Sequence, residues 1–316
     1  MTMGICRSKT SLEGKVVLIT GGNKGMGLET SIDLLRRGAK VIIGCRSTQN
    51  VEKEIRNIIP DADLHVRKLD LSSTKSVRAF ADEIKSSFEV IDILINNAGM
   101  LTDKKKETED GFELTIATNY ICHALLNHLL LDLVKRAGQL GSDCSRIILV
   151  SDLAAADKRI ASDFCNPRSD NKSYDINFGV QSMDNQYPKS KLAQIMYGKH
   201  LAKLLEEENC NTIVASCHPG FVRTDAVQGF DPGFKRNMFI YTGYVVGKTA
   251  LQGAQTALHL ATSRFDELNV KKANGKLFSD CRTQEQCIFW SLMPKYIEDP
   301  VACKHVWDET MKLLNL

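Results

Sequence analysis

The most constraining feature of the chain lies near its start, where the apolar run Lys15-Val-Val-Leu-Ile-Thr20 stops at Gly21 and the next amphipathic segment begins only after several more glycines. A short run without polar alternation suits a strand buried on both faces, and such strands belong to parallel sheets with helices on either side. The pattern then repeats. Further strands are expected at Val41 to Cys45, Leu64 to Leu69, Ile91 to Ile95, Arg146 to Val150 and Thr212 to Ser216. Between them, helical periodicity predicts helices over Leu28 to Gly38, Val51 to Ile59, Ser76 to Phe88, about Gly111 to Val134, and Pro188 to Leu205. Alternation of this kind predicts an α/β chain with right-handed crossovers.

The order is consistent with a Rossmann-type doubly wound parallel sheet with helices on both faces. With 316 residues and no linker or internal repeat, the chain is read as a single domain whose core spans about residues 12–260. Two segments break the rhythm, an insertion at about 154–186 and a tail at about 270–316, and both read as irregular. The formal charge of +3 comes from interleaved signs, so no nucleic-acid partner is expected. The ten cysteines show no Cys-x-x-Cys pair and no zinc spacing, and no secretory leader precedes them. These observations point to a reducing, cytoplasmic location and no metal. The longest apolar stretch, Ala124 to Val134, is broken by Asn127, His128 and Asp132 and reads as unfit to cross a bilayer. Met3-Gly4-Ile5-Cys6 fits an acylation signal only if translation begins at Met3, which leaves peripheral membrane association as an open reading.

In the turn after the first strand, Thr20, Gly21, Asn23, Lys24, Gly25, Met26 and Gly27 set backbone amides at a helix N-terminus, an arrangement that holds a pyrophosphate. An NAD site wants an acidic residue at the end of the second strand. Here stand Cys45, Arg46 and Ser47, and Lys24 adds a second cation for a 2′-phosphate, so the expected cofactor is NADP. Farther along, Tyr187 and Lys191 lie four residues apart on one helical face. A neighbouring ammonium favours the phenolate, which lets such a tyrosine exchange a proton with an alcohol or ketone oxygen.

Five motifs now stand in order: Thr20 to Gly27, Asn96-Asn97-Ala98-Gly99, Asn119, Tyr187 with Lys191, and Pro219-Gly220 through Val222 to Thr224. Over about Leu12 to Leu260 the chain resembles the short-chain dehydrogenase/reductase family. Gly44-Cys45-Arg46, Asp110-Gly-Phe-Glu-Leu114 and His218-Pro-Gly220 are similar to its retinol-dehydrogenase-like branch, whose members act on retinoids and other lipophilic carbonyls with NADP(H). The resemblance implies that Asn97, Ala98 and Gly99 line the adenosine side, that Asp70 and Leu71 cap the adenine, and that Pro219, Gly220, Val222 and Thr224 hold the nicotinamide amide. It also implies that Lys191 bonds the nicotinamide ribose and lowers the Tyr187 pKa, while Asn119 holds a water that links Lys191 to solvent. Asp70 as a plain strand end and Asn119 as a satisfied helix residue stay open.

One position departs from the family pattern. Where the family carries a serine that donates to the substrate oxygen, this chain has Asp152 after Val150-Ser151. An ionised aspartate only accepts hydrogen bonds, and its charge opposes the phenolate. Three readings stay open: Asp152 acts as a neutral acid, Ser151 or Ser173 supplies the donor, or the protein binds NADP with weak turnover. The leading expectation is an NADP(H)-dependent oxidoreductase that interconverts a lipophilic alcohol with its aldehyde or ketone. The alternative is a catalytically impaired NADP-binding regulator.

Phe221, Phe230, Phe234, Phe239, Tyr241 and Tyr244 crowd the segment after the sixth strand and read equally as an apolar substrate lid or as packing. His123 and His128 lie five apart and do not share a ligand face, so both read as satisfied or exposed, and His218 reads as structural. By resemblance, the helices near Gly111 and Pro188 form a four-helix contact, which makes a homodimer plausible.

Overall fold

In the computed structural model the first half of the chain runs β1 (Val16–Thr20), α1 (Gly25–Arg36), β2 (Lys40–Cys45), α2 (Val51–Ile58), β3 (Leu64–Lys68), α3 (Thr74–Ser87) and β4 (Ile93–Asn96). The second half runs α4 (Leu114–Leu140), β5 (Ser145–Val150), the short strands β6 (Cys165–Pro167) and β7 (Tyr174–Ile176), α5 (Gln186–Glu207) and β8 (Thr212–His218). It closes with α6 (Ala250–Thr262), β9 (Leu277–Ser279), β10 (Arg282–Thr283) and α7 (Pro300–Leu314). The structure describes residues 4–102, 106–141, 143–157, 164–167, 174–176, 178, 186–222, 247–264, 273–286, 291 and 293–316.

Among the described residues eight strands form one sheet in the order β10-β9-β8-β5-β4-β1-β2-β3, parallel throughout except for β10, which runs antiparallel to β9. The chain direction across the sheet reverses between β1 and β4, so the loops leaving these two strands open a crevice at their carboxyl ends, where ligands of such sheets bind. Both faces are covered. Leu18, Ile42, Leu94 and Ile147 point to one core with α3, α4 and α5, whereas Val17, Ile19, Val41 and Ile43 point to the other with α1 and α6. That two-sided burial explains the unbroken apolar runs, since each fully buried aliphatic side chain contributes about 1.5–3 kcal/mol.

Several boundaries differ from expectation for local reasons. α1 starts at Gly25 rather than Leu28, because the glycine turn itself forms the first helical turn. α4 continues to Leu140, past Val134, where Gly138 lets the Asn211 carbonyl approach so closely that a Cβ would lie 2.2 Å from it. At 27 residues α4 is long and apolar enough by composition to cross a membrane, contrary to the sequence reading, yet 72% of its apolar window is buried inside the protein. It is the central core helix, and Asn127 on it is spent on Asn96. The tail, expected to be irregular, supplies β9, β10 and α7, and α6 is a further helix beyond those expected. Both helices carry starting signals: Thr249 and Gln252 form a capping box on α6, and Asp299 caps α7 ahead of Pro300. Of the insertion, β6 and β7 pair with each other, and Tyr174 donates to Asp299 at 2.6 Å, which ties the insertion to α7.

Candidate active site

The site grows from the end of β1. Lys24 is extended at the N-cap of α1 and makes no capping bond, so the first amides of the helix stay open to an anion. Above Gly25 an added Cβ would meet nothing within 4 Å, which leaves a cradle for phosphates. At Gly27 a Cβ would sit 2.2 Å from the Gly21 carbonyl and 2.5 Å from Asn97 Nδ2, so only glycine permits the close turn. The residues present fit a dinucleotide. Arg46 and Ser47 lie exposed just beyond β2, as does Lys24 in the loop, while Asn23 is half-buried. Asp70 is engaged locally, where its carboxylate accepts from the Ser72 amide at 2.9 Å and hydroxyl at 2.6 Å, and Leu71 is buried behind it.

The Asn96 to Gly99 segment is stapled to that turn. Thr20 Oγ1 accepts from the Asn97 and Ala98 amides at 3.0 and 2.9 Å, and Asn97 Nδ2 donates to the Thr20 carbonyl at 2.9 Å. These bonds hold Gly99 over the far side of the site, where a Cβ would lie 3.5 Å from Lys191 Nζ and 3.6 Å from Asn119 Oδ1.

Asn119 sits in a π-helical turn, Ala117–Ile121, within α4. Its side chain accepts from the Met100 amide at 2.8 Å and donates to the Met100 carbonyl at 3.0 Å and to Ser190 Oγ at 3.1 Å. Wider turns of this kind are frequent at functional sites. Lys191, on the first turns of α5, is 4% exposed and donates to the Val150 carbonyl at 2.8 Å and to Gln194 Oε1 at 3.3 Å. Its Nζ lies 5.7 Å from the centroid of the Tyr187 ring. Tyr187 and Lys191 thus lie side by side at the start of α5, with Gly99 and Asn119 close to the Lys191 ammonium.

The electrostatics differ from the sequence reading. Burial first, then the charge of Asp152 and a hydrogen bond from the phenol to Asp152, holds Tyr187 well above its usual value instead of lowering it. Burial also pushes Lys191 down to about 8, against the upward pull of Asp152 and Cys217. In this geometry Asp152 accepts from both Tyr187 and the Ala154 amide, the latter at 2.8 Å. The buried Ser151 hydroxyl donates to the Lys191 carbonyl at 2.8 Å. Ser173 lies outside the described residues.

At the end of β8, Gly220 adopts φ +88°, a conformation that favours glycine, and a Cβ there would lie 2.7 Å from Lys248 Nζ. Lys248 donates to the Pro219 carbonyl at 3.0 Å and pairs with Asp280 at 2.6 Å, so it braces this loop from beneath. Met26 and Val222 converge on the missing side chain of Gly253 in α6, which joins the glycine turn to the Pro219 loop. Thr224 and the aromatic residues from Phe230 to Tyr244 lie outside the described residues; Phe221 is exposed. Sequence reasoning missed Lys248, Ser190 and Gln194. The last two lie one helical turn after Tyr187 and Lys191 respectively, whereas nothing local marks Lys248.

Comparison with known proteins identifies the fold and the family. A family model described as short chain dehydrogenase matches residues 15–161. Human retinol dehydrogenase 11 is 37% identical over all of this chain and 91% of its own length, and mouse retinol dehydrogenase 14 is 36% identical over 94% of this chain and 85% of its own. Among solved structures, the NADPH-bound carbonyl reductase from chicken fatty liver superposes with a TM-score of 0.60 at 22% identity, covering 85% of this chain and 96% of that one, and shares the fold. These relatives are dehydrogenases by name, and they lend no support to the impaired regulator. The chain is an oxidoreductase acting on CH-OH groups with a nicotinamide dinucleotide, and it belongs to the short-chain dehydrogenase/reductase family, in its retinol-dehydrogenase-like branch.

Proposed function

We propose that the protein interconverts a lipophilic alcohol with its aldehyde or ketone, a retinoid, steroid or other lipid carbonyl, using NADP(H). The observation that carries this reading is the Tyr187 and Lys191 pair at the carboxyl edge of the sheet, beside Gly99 and Asn119, on a turn built for a dinucleotide. Relatives named retinol dehydrogenases support the retinoid class. NADP is favoured over NAD because Arg46, Ser47 and Lys24 stand exposed where an NAD site would carry a carboxylate. When bound, the cofactor supplies or takes up hydride. Thr20, Gly21, Asn23, Gly25, Met26 and Gly27 would hold its phosphates, Asp70, Leu71 and Asn97 to Gly99 its adenosine, and Pro219, Gly220, Val222 and Thr224 its amide.

In reduction the phenol of Tyr187 gives its proton to the carbonyl oxygen, and its high pKa keeps it in the required form at neutral pH. The substrate oxygen must take over the hydrogen bond that Tyr187 makes to Asp152. Two of the three Lys191 N–H groups are spent on Val150 and Gln194, which leaves one for a ribose hydroxyl. Asn119 fixes the turn beside it. A cytoplasmic location, with peripheral membrane association, belongs to the same proposal and is checked by fractionation.

The test is NADPH oxidation with all-trans-retinal. Tyr187→Phe should lower kcat by about 100-fold or more. Should it leave the rate unchanged, the tyrosine mechanism fails. Arg46→Asp should raise the KM for NADPH far more than that for NADH, and equal effects on both would remove the case for NADP.

A further inference from the structure

His123, a satisfied or exposed histidine by its sequence context, is 1% exposed, one helical turn beyond Asn119, and both of its ring nitrogens have partners in the site. Nδ1 lies 3.0 Å from the Asn119 carbonyl oxygen, and Nε2 lies 2.9 Å from Thr20 Oγ1. The proton inventory decides the tautomer. A carbonyl only accepts, so Nδ1 carries the hydrogen. Thr20 Oγ1 already accepts from the Asn97 and Ala98 amides, so its own hydrogen is left to donate, and at 2.9 Å the bare Nε2 is a better acceptor than the Ile95 carbonyl at 3.5 Å. Burial, opposed by the hydrogen bond to Asn119 and aided by the nearby charge of Lys191, pushes His123 down to about 4, which keeps the imidazole neutral and this pattern intact.

The chain of bonds therefore runs from the Asn97 and Ala98 amides through Thr20 and His123 to the Asn119 backbone, and from the Asn119 side chain to Met100 and to Ser190 on α5, the helix that bears Tyr187 and Lys191. We propose that His123 is a positioning residue of the reaction, a neutral imidazole bridge that fixes the π-helical turn holding Asn119 against the glycine turn holding the cofactor. It rests on the proposed dinucleotide and tyrosine-lysine site. An apolar side chain does not replace the imidazole, because removing it leaves the buried Thr20 hydroxyl only the long contact to the Ile95 carbonyl at 3.5 Å. The consequence is mechanical: the cofactor loop and the catalytic helix move as one body.

The experiment is a double-mutant cycle of His123→Phe and Thr20→Val in the full chain, with His123→Asn as the conservative variant. NADPH affinity is read by fluorescence titration without substrate, turnover with all-trans-retinal, and folding by Tm. His123→Phe should weaken NADPH binding about tenfold and lower kcat by about tenfold or more, with the KM for retinal changed less than about twofold. His123→Asn, which keeps a donor for the Asn119 carbonyl, should recover part of kcat. The double variant should be no worse in NADPH affinity than the worse single one. Additive losses in NADPH affinity would overturn the bridge and leave His123 as core packing, as would a His123→Phe protein with unchanged affinity and kcat. If the wild type turns over no carbonyl, the proposed activity falls, while the affinity cycle still decides the bridge.

Discussion

At the residue scale, Asp152 acts on Tyr187 and Lys191 in the same chemical direction. Its carboxylate raises the phenol and raises the ammonium, so it keeps both protonated: the tyrosine as an acid and the lysine as a cation. Lys191, already pushed down to about 8 by burial, loses its charge as pH rises through that value. Carbonyl reduction should therefore fall off above about pH 8, and the pH profile of kcat/KM for all-trans-retinal checks it. Asp152→Ser withdraws the support for the lysine cation and should move that alkaline limb to lower pH. A limb that stays in place in the serine variant would show that Asp152 does not act through Lys191. The motif and its aspartate are visible in the chain; the direction of its hydrogen bond is not, because that depends on where the turn after β5 sets the carboxylate relative to α5.

At the scale of elements, the glycine turn and its staple to Asn97 behave as one unit. Gly27→Ala places a methyl group 2.2 Å from the Gly21 carbonyl and 2.5 Å from Asn97 Nδ2, so one of the two must withdraw. The expected cost is about 1–3 kcal/mol of overpacking, with NADPH affinity reduced at least about tenfold. A normal affinity by titration would refute the fit. Such turns are legible in sequence, since a glycine spacing between an apolar run and an amphipathic one has few structural solutions. The π-helical turn at Asn119 is not legible, because no local residue signals the extra backbone width; it is held by Met100, which tertiary packing brings to it, and by His123 one turn on, whose ring is anchored at Thr20.

At the scale of the molecule, the tail closes the fold. Trp307 of α7 stacks on Tyr197 of α5 at 5.0 Å and 18°, and Thr310 bonds the Tyr120 hydroxyl at 2.5 Å in the interior. α7 thus packs on helices α4 and α5, the pair from which a homodimer was expected, and any partner there must share their surface with it. Trp307→Ala should cost about 2–3 kcal/mol, less than a fully buried tryptophan because this one is only partly covered, and lower Tm by several degrees in a thermal melt. An unchanged Tm would mean the tail contributes no stability to the sheet domain.

What this sequence determined by itself was whatever depends on neighbours along the chain: strands whose apolar runs demand burial on both faces, the glycine turn, and the four-residue step from Tyr187 to Lys191. What only the tertiary structure decided depends on groups far apart in sequence. His123 reaches Thr20 across 103 positions, Asp152 meets Tyr187, and Lys248 props Pro219 at the end of β8. The physical reason is the same in each case. A buried donor or acceptor must find a partner, and which partner it finds is settled by the packing of the sheet and helices rather than by the residues beside it.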